Sequence, residues 1–293
     1  MTSVSTPART APPVGDYVDL HMHSTASDGA VAPTGVVEAA KAAGLQAIAL
    51  TDHDTLAGVT EARQAGERLG VRVIPGVELS AIERDREVHV LGLHLSRLEE
   101  LERQLAVFRA ARRTRAERIV EALNRLGVPI TFDAVLHEAA GGAIGRPHVA
   151  RVLVANGWAM DFRDAFDRYL GANRPAFVAK HRVSVADAIA LIHCAGGLAL
   201  LAHPGADGNR RWVETLVKAG LDGLEVRHPG HSPDEVAQLN ALVEHFGLVP
   251  SGGSDWHGAP DGARAIGCMK IPAEWLDRQE ARVREREARE RVA

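Results

Sequence analysis

The sequence predicts an α/β fold, a parallel sheet or barrel broken once by a helical insertion. Three observations carry this. Short apolar runs of strand length alternate with Ala-rich helical patterns, most of those helices stop at glycine, and the alternation lapses between about Ser96 and Lys180. A helix that ends at Gly before an apolar run is an αβ connection. Repeated strand–helix alternation favours parallel pairing.

Residues 1–15 are rich in Ser, Thr, Pro and Ala and lack the apolar run of a signal peptide, so they read as a flexible tail on an unexported, cytoplasmic protein. Buried strands are expected at Tyr17–Leu20, Ala47–Thr51, Arg72–Leu79, Val88–Leu93, Leu198–Ala202, Gly223–Val226 and Leu248–Ser251. The intervening helices are Pro33–Ala43 before Gly44, Gly58–Leu69 before Gly70, Val185–Ala195 before Gly196, Trp212–Ala219 before Gly220, and Pro233–Phe246 before Gly247. Residues 16–96 and 181–273 thus form the barrel. Residues 97–180 form a helical cap, with Leu98, Leu101, Leu105, Phe108, Ile119 and Leu123 as its apolar stripe. Residues 274–293 are almost all charge and read as a solvated helix or fraying tail.

Composition narrows the function. The chain has 293 residues, 46% hydrophobic and 25% charged, which suits a globular protein with a sizeable core. No apolar run is long enough to span a membrane. The net charge of −4 argues against a protein that coats duplex DNA. Two cysteines, Cys194 and Cys268, exclude a disulfide framework and a thiolate zinc finger. Against 4% aromatics stand 14 histidines, the first pointer to metal chemistry.

In parallel α/β folds the carboxyl ends of the strands converge on one face, and sites form there. Here most strands deliver a ligand-type side chain near that end. His21 and His23 stand two apart, so both face one side. Asp28 follows in the next loop, then His53, Glu78, His89, His203, Asp255 and His257. One ion takes three or four protein ligands, so these residues suggest two or three ions. Imidazole with carboxylate and no thiolate suits Zn, Mn or Fe.

The segments Asp19-Leu20-His21-Met22-His23-Ser24, Ser27-Asp28-Gly29, Leu50-Thr51-Asp52-His53-Asp54-Thr55, Gly76-Val77-Glu78, Ala202-His203-Pro204-Gly205 and Gly253-Ser254-Asp255-Trp256-His257 resemble the PHP (polymerase and histidinol phosphatase) superfamily. The resemblance covers about residues 16 to 270. It implies a distorted (β/α)7 barrel with two or three divalent metals that hydrolyses phosphate esters. The segments Gly145-Arg146-Pro147-His148-Val149-Ala150-Arg151 and Ala165-Phe166-Asp167-Arg168-Tyr169-Leu170 resemble the branch of nucleoside 3′,5′-bisphosphate phosphatases and RNase AM-type 5′→3′ exoribonucleases. That branch implies nucleotides or short single-stranded RNA as substrate.

By the same resemblance, His21, His23, Glu78 and Asp255 hold a first ion. Glu78, His89 and His203 hold a second, and Asp28, His53 and His257 a third. Manganese is the first expectation, with iron or zinc as alternatives, and a metal-bridging hydroxide is the nucleophile. Asp54 and His231 are candidates to protonate the leaving group, although Asp54 could equally cap a helix or orient His53. Arg146 and His148 open a helix with Pro at its first turn, a natural anion site. They are expected to grip a second phosphate, with Arg174, Lys180 and His231 in support. Phe177 and Arg182 depart from the branch's usual Tyr and Trp, which bears on base stacking. The Arg109–Arg118 run could track RNA, but interleaved glutamates favour a solvated face. His94, His137, His181, His193 and His245 read as ordinary packing or surface histidines.

Two other readings compete. One is a histidinol-phosphate phosphatase or another small-molecule phosphatase; histidinol phosphate, a single monophosphate, would need no remote anion site at Arg146. A non-catalytic metal-binding protein would be expected to have a closed site with few ligands.

Overall fold

The structure, a computed structural model, describes residues 17–83, 86–139, 144–179, 183–259, 262 and 264–291. Eight strands form one sheet in the order β7-β6-β5-β4-β3-β2-β1-β8. They are β1 Tyr17–Asp19, β2 Ala47–Leu50, β3 Arg72–Glu83, β4 Arg86–Leu93, β5 Leu198–Leu201, β6 Gly223–Arg227, β7 Val249–Gly252 and β8 Ile271–Pro272. The first seven coincide with the expected runs. The eighth is two residues long, too short to carry a period, and pairs antiparallel with β1. Leu20 N–H donates to Gly252 O at 3.1 Å, and Met22 bridges Trp256, so the two ends of the sheet meet and the barrel nearly closes. Gly253 allows that closure. A Cβ there would lie 2.4 Å from His21 Cβ and 2.5 Å from His21 N, which no side chain tolerates.

The sheet departs from uniform parallel pairing at one place. β4 runs antiparallel to both β3 and β5. Only residues 84 and 85 separate β3 from β4. A parallel crossover needs a dozen residues or more, so a hairpin is the only connection that fits. The reversal matters for the site, because it brings the amino end of β4, with His89, to the face where the parallel strands present their carboxyl ends.

Helices pack outside the strands. They are α1 Pro33–Ala42, α2 Val59–Leu69, α7 Val185–Cys194, α8 Arg210–Lys218 and α9 Pro233–Phe246. Ser184 and Ser232 cap α7 and α9 by accepting from the backbone N–H three residues on, and each is answered by an acidic side chain there. Gly247 ends α9 in the left-handed region, at φ 62.

The insertion contains α3 Leu98–Arg125, α4 Phe132–Ala139, α5 Arg146–Ala155, α6 Phe162–Ala165 and a π-helical turn Phe166–Leu170. Its 28-residue helix α3, roughly 42 Å long at 1.5 Å per residue, joins two cores. Leu101 and Leu105 lie in the barrel core, while Ile119, Val120 and Leu123 lie in the cap's own core with Val135, Val149 and Leu153. One rigid helix therefore sets the cap over the barrel mouth.

The C-terminal stretch is the helix α10 Ala273–Glu290, and it is neither frayed nor simply solvated. Trp275 and Leu276 are buried and Gln279 is fully buried, donating to Pro250 O at 2.8 Å. Few anchors suffice, because Trp275, Gln279 and Val283 recur at four-residue spacing on one face. No helix among the described residues is long and apolar enough to cross a membrane.

Candidate metal centre

The nine expected ligands converge at one end of the barrel. Glu78 is their hub. Its Oε2 lies 3.2 Å from His21 Nε2, 3.2 Å from His23 Nε2 and 3.3 Å from His53 Nδ1. Its Oε1 lies 2.8 Å from His89 Nδ1 and 2.9 Å from His203 Nε2. Asp255 Oδ1 approaches His23 at 3.2 Å and His21 at 3.5 Å. Asp28 Oδ1 approaches His257 Nε2 at 3.4 Å, and its Oδ2 lies 4.0 Å from His53 Nε2. The donor atoms fall into three overlapping groups, each within 4.8 Å: His21, His23, Glu78 and Asp255; His53, Glu78 and His89; and His23, Asp28, His53 and His257.

Local backbone explains how short strands aim so many groups inward. Asp54, His203 and Asp255 all have positive φ, at 50, 28 and 51. Each sits where a strand breaks into its loop, and such conformations persist only where the surroundings over-determine them. Asp52 fixes the loop before Asp28. It accepts from Ser24 N–H at 2.7 Å, Ser24 Oγ at 2.7 Å and Ser27 Oγ at 2.8 Å.

The donors fit divalent cations. His21 Nε2 and His23 Nε2 face each other at 3.1 Å, a contact between two lone pairs unless a proton or cation lies between them. Nδ1 of His23 is buried without a hydrogen-bond partner, Nδ1 of His53 makes no hydrogen bond although Glu78 Oε2 lies 3.3 Å away, and buried polar atoms of that kind call for a ligand. Electrostatics agree. Burial opposes charge on His23, yet hydrogen bonds to Asp255 and Glu78 push it up to about 10. Burial likewise opposes charge on His89, which the Glu78 carboxylate lifts to about 9. Burial would raise Glu78, but His53, His89 and His21 hold it well below the carboxylate range. Burial dominates at His53 and drives it down to about 3. The carboxylates thus favour positive charge at the cluster.

Several side chains that orient the cluster were not singled out from the sequence. Glu225 is wholly buried, accepts from His203 N–H at 2.6 Å and pairs with His21 Nδ1. His228 Nε2 lies 3.4 Å from Asp255 Oδ2, which also pairs with Arg264. Glu225 had a signal in the sequence: a carboxylate inside the buried run Gly223–Val226 needs a partner.

The proposed proton donors are otherwise engaged. Asp54 pairs with Arg112, whose Nε donates at 2.6 Å, and accepts from Ser80 N–H at 2.8 Å. An ion-paired carboxylate has no proton to give. His231 donates from Nδ1 to Val226 O at 2.9 Å and accepts at Nε2 from Gly205 N–H at 3.1 Å, so both ring nitrogens are spent. It lines a cavity of about 330 Å³ beside the cluster, with His228, Gly230 and Arg264.

The expected phosphate grip is partly rearranged. Arg146 opens α5 and points to the barrel mouth, pairing with Glu87 at 2.9 Å, with the Phe166 and Phe177 rings 5.6 and 6.0 Å from its guanidinium carbon. His148 is a buried capping residue instead of a free cation. Its Nδ1 accepts from Gly145 N–H at 3.0 Å, its ring also bonds the Ser27 backbone, and burial lowers its basicity. Arg174 is exposed on the turn after the π-helical segment. Lys180, His181 and Arg182 lie outside the described residues. Within the arginine run, Arg109 and Arg113 pair with Glu102 and Glu117, as a solvated face would.

The PHP domain family matches residues 19–197 of the chain. A 5′-3′ exoribonuclease of Haemophilus influenzae is 39% identical over 245 residues, which cover 82% of this chain and 89% of the relative. A 3′,5′-nucleoside bisphosphate phosphatase of Chromobacterium violaceum is 37% identical over 257 residues, covering 85% and 90%. A crystal structure from Bifidobacterium adolescentis, described as a metal-dependent phosphoesterase, superposes with a TM-score of 0.81 at 34% identity, covering 90% of this chain and 96% of that one.

Proposed function

The chain belongs to the PHP domain family, and on that premise we propose that it is a metal-dependent phosphoesterase hydrolysing nucleotide phosphate esters. Its substrates are nucleoside 3′,5′-bisphosphates, which lose the 3′-phosphate, and short single-stranded RNA, which loses nucleotides from the 5′ end. The observation that carries this reading is Glu78 set among five imidazoles, with Asp255 and Asp28 completing the donor groups.

His21, His23, Glu78 and Asp255 would hold one ion, Glu78, His89 and His203 a second, and Asp28, His53 and His257 a third. Manganese is the proposed metal, and iron or zinc suits the same donors. Such ions, when bound, make water a nucleophile at neutral pH and neutralise charge on phosphoryl oxygens. The chain's own residues do the rest. Glu225 fixes the His21 ring so that Nε2 faces the cluster. Arg146, held by Glu87 and Leu170 O, presents its guanidinium to a second phosphate at the cap.

The test is phosphate and nucleotide release by manganese-loaded protein from adenosine 3′,5′-bisphosphate and from a 5′-phosphorylated RNA oligonucleotide. Release from either supports the reading and ranks the substrates. His21→Ala abolishes turnover, and Arg146→Ala weakens substrates carrying the second phosphate. Cleavage of histidinol phosphate in their place would keep the chemistry and discard the nucleotide.

A further inference from the structure

A cavity of about 300 Å³ lies between the barrel mouth and the cap. Its lining combines Asp28, His53 and His89 of the cluster with three guanidiniums, those of Arg112, Arg115 and Arg146. Two of the three are committed. Arg112 is spent on Asp54 and Ser80, and Arg146 is paired with Glu87. Arg115 differs. It donates from Nε to Val178 O at 2.8 Å, and among the described residues no carboxylate is in ion-pair contact with it, although Glu87 acts on it from farther off.

A partly buried guanidinium beside two others, with no carboxylate in contact, is costly unless an anion joins it. Burial first, then Arg146 and Arg112, press the Arg115 side chain down to about 10. Glu87 supplies one negative charge, and it is already shared between Arg146 and His89, at 2.9 and 3.4 Å. A forked guanidinium suits phosphate oxygens particularly well.

We propose that Arg115 is a substrate-binding residue, which with Arg146 clamps a terminal phosphate monoester of the nucleotide while its other phosphoryl group sits at the Glu78 cluster. This rests on the nucleotide reading above. His53 and His89 line both places, so one small molecule spans them. The clamp favours a doubly charged terminal monoester over a singly charged internal diester, and so selects molecules by their phosphorylated end.

Two measurements separate this proposal from the reading it rests on. The first is calorimetric binding of adenosine 5′-monophosphate to metal-free protein, which needs no turnover. Arg115→Ala weakens it about 10- to 100-fold, as loss of a charged hydrogen-bonding partner does, Arg115→Lys weakens it less, and Glu87→Gln tightens it. The second uses metal-loaded protein. Arg115→Ala lowers the ratio of kcat/KM for adenosine 3′,5′-bisphosphate to that for adenosine 3′-monophosphate at least about tenfold. An unchanged ratio, with both rates lowered together, would make Arg115 a brace for Val178 and overturn the clamp, as would unaltered monophosphate binding. Should Arg115→Ala not fold, Arg115→Gln takes its place. Should the wild type cleave neither nucleotide, the nucleotide reading fails, and the binding arm still decides Arg115.

Discussion

Glu225 accepts the Nδ1 hydrogen of His21 at 2.9 Å, and neither side chain reaches solvent. That bond fixes the tautomer, leaving Nε2 bare toward His23, Glu78 and Asp255. Carboxylate partners of this kind orient a ligating imidazole and raise its basicity, and losing one typically costs about 10- to 100-fold in metal affinity. Glu225→Ala is therefore expected to weaken metal binding by that order while the fold survives. Competition with a chromogenic chelator measures it. Wild-type affinity in the variant would remove Glu225 from any role at the cluster.

The crowding of Glu78, Asp255 and Asp28 against imidazoles also predicts a stability effect. A cation that binds only the folded state stabilises it by about 2.7 kcal/mol at a hundredfold excess over Kd. Thermal midpoints should rise with added manganese and fall with chelator, and Glu78→Gln should blunt both. A midpoint indifferent to divalent ions in the wild type would contradict the metal centre.

Much of this was legible in the chain, for physical reasons. His21 and His23 stand two apart on a strand end, and the period of a strand puts them on one side. The helix stops at Gly70 and Gly247 mark chain reversals that only glycine makes cheaply. What stayed hidden depends on tertiary partners. The reversal of β4 brings His89 to the cluster by its strand's amino end, which the rule of carboxyl ends does not foresee. Arg112 and Arg115 read like Arg109 and Arg113, because a run of arginines on a helix does not say which of them a neighbouring barrel will bury. His148 looked like a phosphate ligand since its role as a cap depends on Gly145 and Ser27.

The bridge between barrel and cap gives a third prediction. Arg112 joins α3 to Asp54 and Ser80, and its side chain is 12% exposed while that of Asp54 is 3% exposed. Removing one partner of a buried pair leaves an uncompensated charge and costs about 3–5 kcal/mol. Arg112→Met should lose stability of that order in urea. The double variant Asp54→Asn with Arg112→Met should lose less than the sum of the singles, since neighbours couple. Strict additivity would mean that the two side chains do not communicate.

The last prediction concerns acid and the other end of the barrel. His94, at φ 58, bonds through Nε2 to Gln279 Oε1 at 3.1 Å, and Gln279 passes the contact on to Pro250. Gln279 Oε1 can only accept, so Nε2 carries a hydrogen whether the ring is neutral or charged. Burial, against the pull of that bond, holds His94 below its ordinary value of 6.5. The unfolded chain therefore takes up a proton that the folded chain resists, between the lowered folded value and 6.5. In that window stability rises with pH. The contribution of His94 is complete above 6.5 and is lost as pH falls through the folded value. Urea midpoints for His94→Gln should consequently fall less between pH 7 and pH 5 than those of the wild type. Parallel curves would assign the acid sensitivity elsewhere.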